Sequence, residues 1–194
     1  MGEDVLRWMR WSEYRVVPWK NGGGTTREVA DGTGWRVSVA DVAGDGPFSS
    51  FPGIDRVITP VEGDGMLLTV AGAAPVPVEP LRPFAFPGDA ATDCRLVAGP
   101  VRNLNVMTRR GGATAGVRIV TVTAGREAET VCAAGETLLV MAVTEGIAVA
   151  GQDGPGTPLG RLDCVRRDGP AALTLRGDGT VAEVRIETGT TAPH

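Results

Sequence analysis

Apolar and polar residues alternate with a period of two along most of the chain. That period places successive side chains on opposite faces of an extended strand. Over Trp35–Val42, for example, Trp35, Val37, Val39 and Asp41 share one face while Arg36, Ser38 and Ala40 share the other, and either face suits a pocket wall. Gly, Pro and Asp interrupt the alternation every several residues, as at Gly63-Asp64-Gly65 and Gly177-Asp178-Gly179, where a hairpin turn is favoured. The pattern predicts strands over residues 14–17, 25–30, 35–42, 56–62, 66–71, 76–79, 94–97 and 103–109. A second series follows over 117–122, 129–133, 137–144, 147–150, 162–166, 172–176 and 181–187. No window of eleven or more residues carries a helical stripe, and residues 53–55 offer only a short turn. Strands this short and numerous predict an all-β sandwich or barrel. The gap near 109–115 predicts two domains, residues 1–110 with the unusual side chains and residues 111–194 as a packing half.

Composition narrows the chemistry. The chain has 194 residues with 28 Gly and 14 Pro, and these fall between apolar runs, which fits tight turns better than disorder. All nine aromatic residues lie before position 87. Lys20 is the only lysine, and the only histidine is the last residue, His194. Internal histidine, the usual general base and the commonest ligand for zinc, iron and copper, is therefore missing, and no metal or other cofactor is expected. Cys94, Cys132 and Cys164 are far apart and odd in number, as expected of small buried residues in a reducing compartment. The N-terminus has no signal-peptide core, and no apolar run approaches a membrane span, so a cytoplasmic location is expected. A net charge of −4 disfavours nucleic acid and anionic lipid, leaving small molecules or proteins as partners.

Four segments carry the candidate chemistry. Trp19-Lys20-Asn21-Gly22-Gly23-Gly24-Thr25-Thr26-Arg27 combines a glycine triplet, able to turn backbone N–H groups toward an anion, with flanking positive charge and short donors. The same triplet also suits a plain hairpin turn with Trp19 as a core anchor. Its order fits neither a P-loop nor a dinucleotide fingerprint. The second segment joins the strand at Trp35–Val42 to a Gly46-to-Arg56 loop in which Phe48 and Phe51, held between Pro and Gly, form either a pocket wall or a core cap. The third is Phe84-Ala85-Phe86-Pro87-Gly88-Asp89. In the fourth, Asn103, Asn105, Met107 and Arg109 share one face, which suits a wet interior or open solvent.

Taken in order, these segments resemble the HutD/Ves family, through its tryptophan-x-Asn-Gly-Gly-Gly-x-Thr stretch, WR-S-A-V strand, GPFS-FPG-D-R loop, FPGD turn and LNVM-RRG strand. The match covers Trp19 to Thr25, Trp35 to Val42, Gly46 to Arg56, Phe86 to Asp89 and Leu104 to Gly111. The resemblance implies a cupin-superfamily, jelly-roll-like double barrel in one chain. Many cupins hold a metal through barrel histidines, which this chain lacks. It also implies a link to bacterial histidine utilisation, with a regulatory role through binding a pathway intermediate such as formylglutamate or urocanate. Asn103 departs from the Asp expected at the start of the last motif.

The leading expectation is a metal-free binding protein for a carboxylate-bearing small molecule. Its candidate ligand-binding residues are Trp19, Lys20, Asn21, Gly22, Gly23 and Gly24, together with Thr25, Arg27, Ser38, Phe48, Phe51, Arg56 and Asn105. An enzyme is the alternative, a metal-independent isomerase, lyase or hydrolase with Lys20, Asp41, Glu28 or Tyr14 as acid or base. An interaction protein is the third reading, and it requires Phe48 and Phe51 to form an exposed apolar patch. A homodimer is compatible with any of them.

Overall fold

A computed structural model describes residues 6–19, 22–151 and 154–189. Among the described residues the sequence alternation becomes nineteen strands with one 3-10 turn, at Trp11–Glu13, and the chain also turns at Gly53, with φ near +70°, at the start of the expected turn over residues 53–55. The contacts divide the chain into two compact units, Arg15–Ala115 with Gly189, and residues 6–14 with Gly116–Thr188.

In the first unit, β2 (Arg15–Pro18), β3 (Gly24–Gly32), β4 (Trp35–Val42), β11 (Val101–Arg109), β6 (Ile54–Glu62) and β9 (Phe84–Pro87) form a sheet in that spatial order. Its second sheet runs β5 (Gly46–Pro47), β10 (Thr92–Leu96), β7 (Met66–Val70) and β8 (Val76–Val78). All the pairings are antiparallel. Ile58, Met66, Leu68, Val78, Phe86 and Val101 form its apolar core.

The second unit has a five-stranded sheet ordered β12 (Ala113–Val122), β19 (Gly179–Thr188), β14 (Glu136–Ala142), β17 (Cys164–Asp168) and β1 (Arg7–Met9). Its four-stranded sheet is ordered β13 (Ala128–Cys132), β18 (Ala171–Gly177), β15 (Ile147–Ala150) and β16 (Thr157–Leu159). Adding eight to each strand number of the order β4-β11-β6-β9 gives β12-β19-β14-β17, and β5-β10-β7-β8 likewise gives β13-β18-β15-β16. The two units therefore repeat one strand order, although no sequence repeat announces it.

The expected division at residue 110 places residues 6–14 with the first barrel. In the structure Arg7, Trp8 and Met9 pair with Arg166, Val165 and Cys164, so this segment joins the second unit. Short strands with weak alternation, β1, β5, β9 and β16, lie outside the sequence expectation because two to four residues carry no readable period. Strand β17 begins two residues later than expected, since Leu162 has a positive φ and closes the preceding turn.

The N-terminal segment is secured by one carboxylate. Asp163 accepts hydrogen bonds from the Trp11 backbone N–H at 2.8 Å, from Arg10 Nη1 at 2.8 Å and from the Gly160 N–H at 3.0 Å. Tyr14 lies beside it and donates its hydroxyl to the Leu162 carbonyl at 3.0 Å. Burial alone would raise the Asp163 pKa, but these donors outweigh it and hold the group below the usual carboxylate value. Because the folded-state pKa is depressed, the contribution is present at neutral pH and is lost as pH falls through that depressed value. Asp163→Asn is expected to destabilise the protein by about 1–3 kcal/mol at pH 7. In urea titrations the gap from wild type should close in acid, where the wild-type carboxyl is itself protonated.

Candidate functional site

The inward face of the first unit's large sheet changes character along its strands. On β4 the side chains facing the core run Val42, Ala40, Ser38, Arg36, and on β11 they run Val101, Asn103, Asn105, Met107. Val42 and Val101 belong to the apolar core. Beyond them the face turns polar and opens into a cavity of about 610 Å³. Arg36, Ser38 and Ala40 from β4, Asn103 and Asn105 from β11 and Arg56 from β6 form its floor. Val17, Pro18, Trp19 and Thr26 border one side, and Pro47, Phe48, Ser49 and Phe51 of the aromatic loop border the other.

Arg56 is the central group. Only 8% of it is exposed, and its guanidinium carbon lies 5.3, 5.4 and 4.9 Å from the ring centroids of Phe48, Phe51 and Phe86. These rings supply cation–π attraction while excluding water. Arg56 Nε and Nη2 donate to Asn105 Oδ1 at 3.2 and 3.1 Å, and Asn105 Nδ2 donates to Ser38 Oγ at 3.3 Å. The amide thus has its oxygen engaged by the cation and its nitrogen by the hydroxyl, which fixes its orientation. Among the described residues no carboxylate lies within ion-pair distance of Arg56 or Arg36. Burial, and then repulsion from Arg36, push the Arg56 pKa down to about 10. The direction says that this environment lacks a counter-charge. Arg36 leans on Phe51, 6.0 Å from its ring, and donates Nη2 to Met107 Sδ at 3.2 Å.

The aromatic loop is held in place by its backbone. The Phe48 N–H bonds to the Thr92 carbonyl, the Phe51 N–H to Gly88, and the Arg110 N–H to Gly53. Arg110 also pairs through its side chain with Asp55 at 2.7 Å and Asp89 at 3.1 Å. The GPFS-FPG-D-R, FPGD and RRG stretches therefore converge to hold Phe48 and Phe51 beside Arg56. Both rings are half-buried on the concavity, as a pocket wall would be, and do not form an exposed patch.

Of the residues singled out in the sequence, Trp19, Ser38, Phe48, Phe51, Arg56 and Asn105 meet at this cavity. Lys20 and Asn21 lie outside the described residues. Thr25 and Arg27 occupy the opposite face of β3, where Thr25 Oγ1 bonds to Asp41 Oδ2 at 3.1 Å and Arg27 Nε lies 3.9 Å from the same carboxylate. Gly22, Gly23 and Gly24 do not line the cavity. The Gly22 N–H donates to the Trp19 carbonyl, and Gly24 allows the Trp19 ring to lie against the strand, since a Cβ there would come within 3.1 Å of it. Trp19 Nε1 in turn donates to Thr26 Oγ1 at 2.8 Å. Thr26, Arg36 and Asn103 also line the cavity although none is among the candidate ligand-binding residues, and strand parity is the signal for all three. Thr26 alternates with Thr25 and Arg27, Arg36 shares a face with Ser38, and Asn103 shares one with Asn105.

The alternative acid–base candidates sit elsewhere. Asp41 is held by Arg102 and Thr25, Glu28 pairs with Arg15 at 2.6 Å, and burial pushes the Tyr14 phenol far up. The three cysteines are buried, which raises their thiols. Among the described residues no group of three His, Cys, Asp or Glu side chains is placed to hold a metal ion. A cavity floored by two arginines and amides does not fit the histidine-ligated metal common in cupin barrels.

The HutD family model matches residues 11–183. The chain belongs to the HutD family. An uncharacterized 21.2 kDa protein in the hutC 3' region of Pseudomonas putida is 42% identical over 109 residues, which are 53% of this chain and 57% of that protein. Protein Ves of Citrobacter koseri is 38% identical over 121 residues, 57% of this chain and 63% of Ves. The chain thus spans somewhat under two thirds of each of these relatives. HutD from Pseudomonas fluorescens SBW25, solved in a formate condition, is 33% identical with a TM-score of 0.83, covering 95% of this chain and 100% of that one. A cupin 2 conserved barrel domain protein from Leptotrichia buccalis, 8% identical with a TM-score of 0.60 over 93% of this chain and 100% of its own, shares the fold alone. The fold is all-β and cupin-like, and the HutD family is associated with histidine-utilisation operons. Among the described residues no helix is long and apolar enough to cross a membrane.

In this HutD-family chain the Asn105 amide is the structural support of the cavity floor. Asn105→Ala leaves the buried Arg56 without its two acceptor contacts and is expected to cost about 2–3 kcal/mol in urea unfolding. Asn105→Asp supplies a carboxylate at the same place and should recover most of that loss.

Proposed function

We propose that this protein binds a carboxylate-bearing small molecule of histidine breakdown, formylglutamate or urocanate, and so senses or sequesters it without a metal. The observation that carries this reading is the buried Arg56, which has hydrogen bonds and aromatic contacts but no counter-charge among the described residues. Burying an unpaired cation is unfavourable, and a ligand carboxylate arriving in the cavity relieves it with charge-assisted hydrogen bonds. Arg56 Nη1 has no hydrogen-bond partner among the described residues and remains for that contact. The rings of Trp19, Phe48 and Phe51 border the space where the ligand's carbon skeleton would sit, in the usual manner of an apolar pocket with few convergent polar groups.

The described lining offers donors that orient an anion, and it offers no carboxylate, thiol or phenol to move a proton. Binding is accordingly favoured over turnover, and the operon association of the family supplies the choice of ligands. Calorimetric titration with formylglutamate and urocanate is expected to show saturable binding by at least one. Arg56→Gln should weaken that binding at least about tenfold, as loss of a charge-assisted contact does. Absence of binding by both compounds at millimolar concentration overturns the ligand assignment. Conversion of either compound to a product would overturn the purely binding role.

A further inference from the structure

The repeated strand order allows the polar end of one unit to be compared with that of the other. In the second unit β19 corresponds to β11. Val181 faces its core as Val101 does in the first, and Glu183 and Arg185 follow on the same face where β11 carries Asn103 and Asn105. There the arginines meet carboxylates of the chain itself, although the buried Glu183 Oε1 has no hydrogen-bond partner among the described residues. Glu183, 0% exposed, receives two hydrogen bonds from Arg118 at 3.0 and 2.7 Å and lies 3.7 Å from Arg185. Arg185 also meets Glu136 of β14 at 3.0 Å. Two arginines are thus matched by two glutamates.

The first unit places two arginines at the same end, Arg36 on β4 and Arg56 on β6, with no glutamate or aspartate in the described lining. Asn103 stands on the strand and face where the second unit carries Glu183. It is only 2% exposed, lines the cavity and has no side-chain hydrogen bond among the described residues. Its amide therefore faces the cavity, where a ligand atom can bond to it.

We infer that the cavity takes a dianionic ligand, a dicarboxylate, whose two carboxylates neutralise Arg36 and Arg56 as Glu136 and Glu183 neutralise the arginines of the second unit, and that the neutral Asn103 sets this charge requirement. The inference rests on the carboxylate-binding reading above and, of its two ligands, favours formylglutamate, which carries two carboxylates, over urocanate, which carries one. A monoanion leaves one of the two cations unmatched. A dianion matches both, while Asn103 donates to a ligand oxygen or accepts from a ligand N–H.

Matched pairs test it. Succinate, glutarate and adipate are titrated calorimetrically at neutral pH and fixed ionic strength against succinamate, glutaramate and adipamate, in which one carboxylate is replaced by an amide of the same shape. The best dicarboxylate is expected to bind at least about tenfold more tightly than its monoamide. In Arg36→Gln that preference should fall to within about threefold, with monoamide affinity unchanged. Asn103→Asp supplies one negative charge from the protein and should likewise erase the preference, providing a second route if Arg36→Gln does not fold. Dicarboxylate and monoamide binding with equal affinity to the wild type overturns the charge count while leaving the carboxylate site intact. A preference that survives in a folded Arg36→Gln or Asn103→Asp protein overturns the assignment to those residues. No binding of any of the six compounds overturns both the inference and the reading beneath it.

Discussion

A guanidinium buried among three phenylalanines, with an amide for company and no acid, governs the architecture of the first unit. Arg56 would be poorly tolerated in an ordinary β-sandwich core, because the cation loses its hydration without gaining a counter-charge. Several neighbouring features make it tolerable. Phe48 and Phe51 approach from a loop anchored on Thr92, Gly88 and Gly53, and Phe86 approaches from the adjacent strand in register with Arg56. Asn105 accepts from Arg56 and is itself fixed by Ser38. These residues come from four different parts of the chain, so the cage exists only when the six-stranded sheet and the aromatic loop are both assembled.

The same sheet shows how a cupin-like fold accommodates a site without giving up its core. Along β4 and β11 the inward side chains pass from Val42 and Val101 to Arg36 and Met107 within three strand repeats. One end is dry and packed, and the other is polar and open. The second unit repeats the order of four of these strands, yet fills its polar end with Glu183, Arg185, Arg118 and Glu136. This network pairs its own arginines with glutamates, and leaves only Glu183 Oε1 without a hydrogen-bond partner among its described carboxylate oxygens. The difference between the units therefore lies in a few side chains on corresponding strands and not in topology, which is the usual way function is grafted onto a common scaffold.

Much of this is legible in the sequence, and the exceptions have physical causes. Alternation reveals strands such as Trp35–Val42 because half of their residues must face a core, whereas Arg7–Met9 and Gly46–Pro47 are too short to show a period. The aromatic loop, Ser38, Arg56 and Asn105 stand out by residue type. Arg36 and Asn103 do not, because an arginine or asparagine on a strand is ordinary until the neighbouring strands show that no acid faces it. The glycine triplet misdirects for a related reason. Its flexibility serves the turn and the close approach of Trp19, so Thr25 and Arg27 turn toward Asp41 while Thr26, between them, meets Trp19 at the cavity.

Charge balance across strands is a long-range property, and it explains why the whole-chain total is a poor guide to this site. The chain is acidic overall, with a net charge of −4, yet its cavity holds two cations and no described anion. Acidic residues are plentiful near the arginines in sequence, Asp41 and Asp55 among them, but period two sends them to other faces or to the sheet rim, where Arg102 and Arg110 occupy them. Segregation by strand face thus does what composition cannot. It keeps an excess of carboxylates in the molecule while denying every described one of them to Arg56.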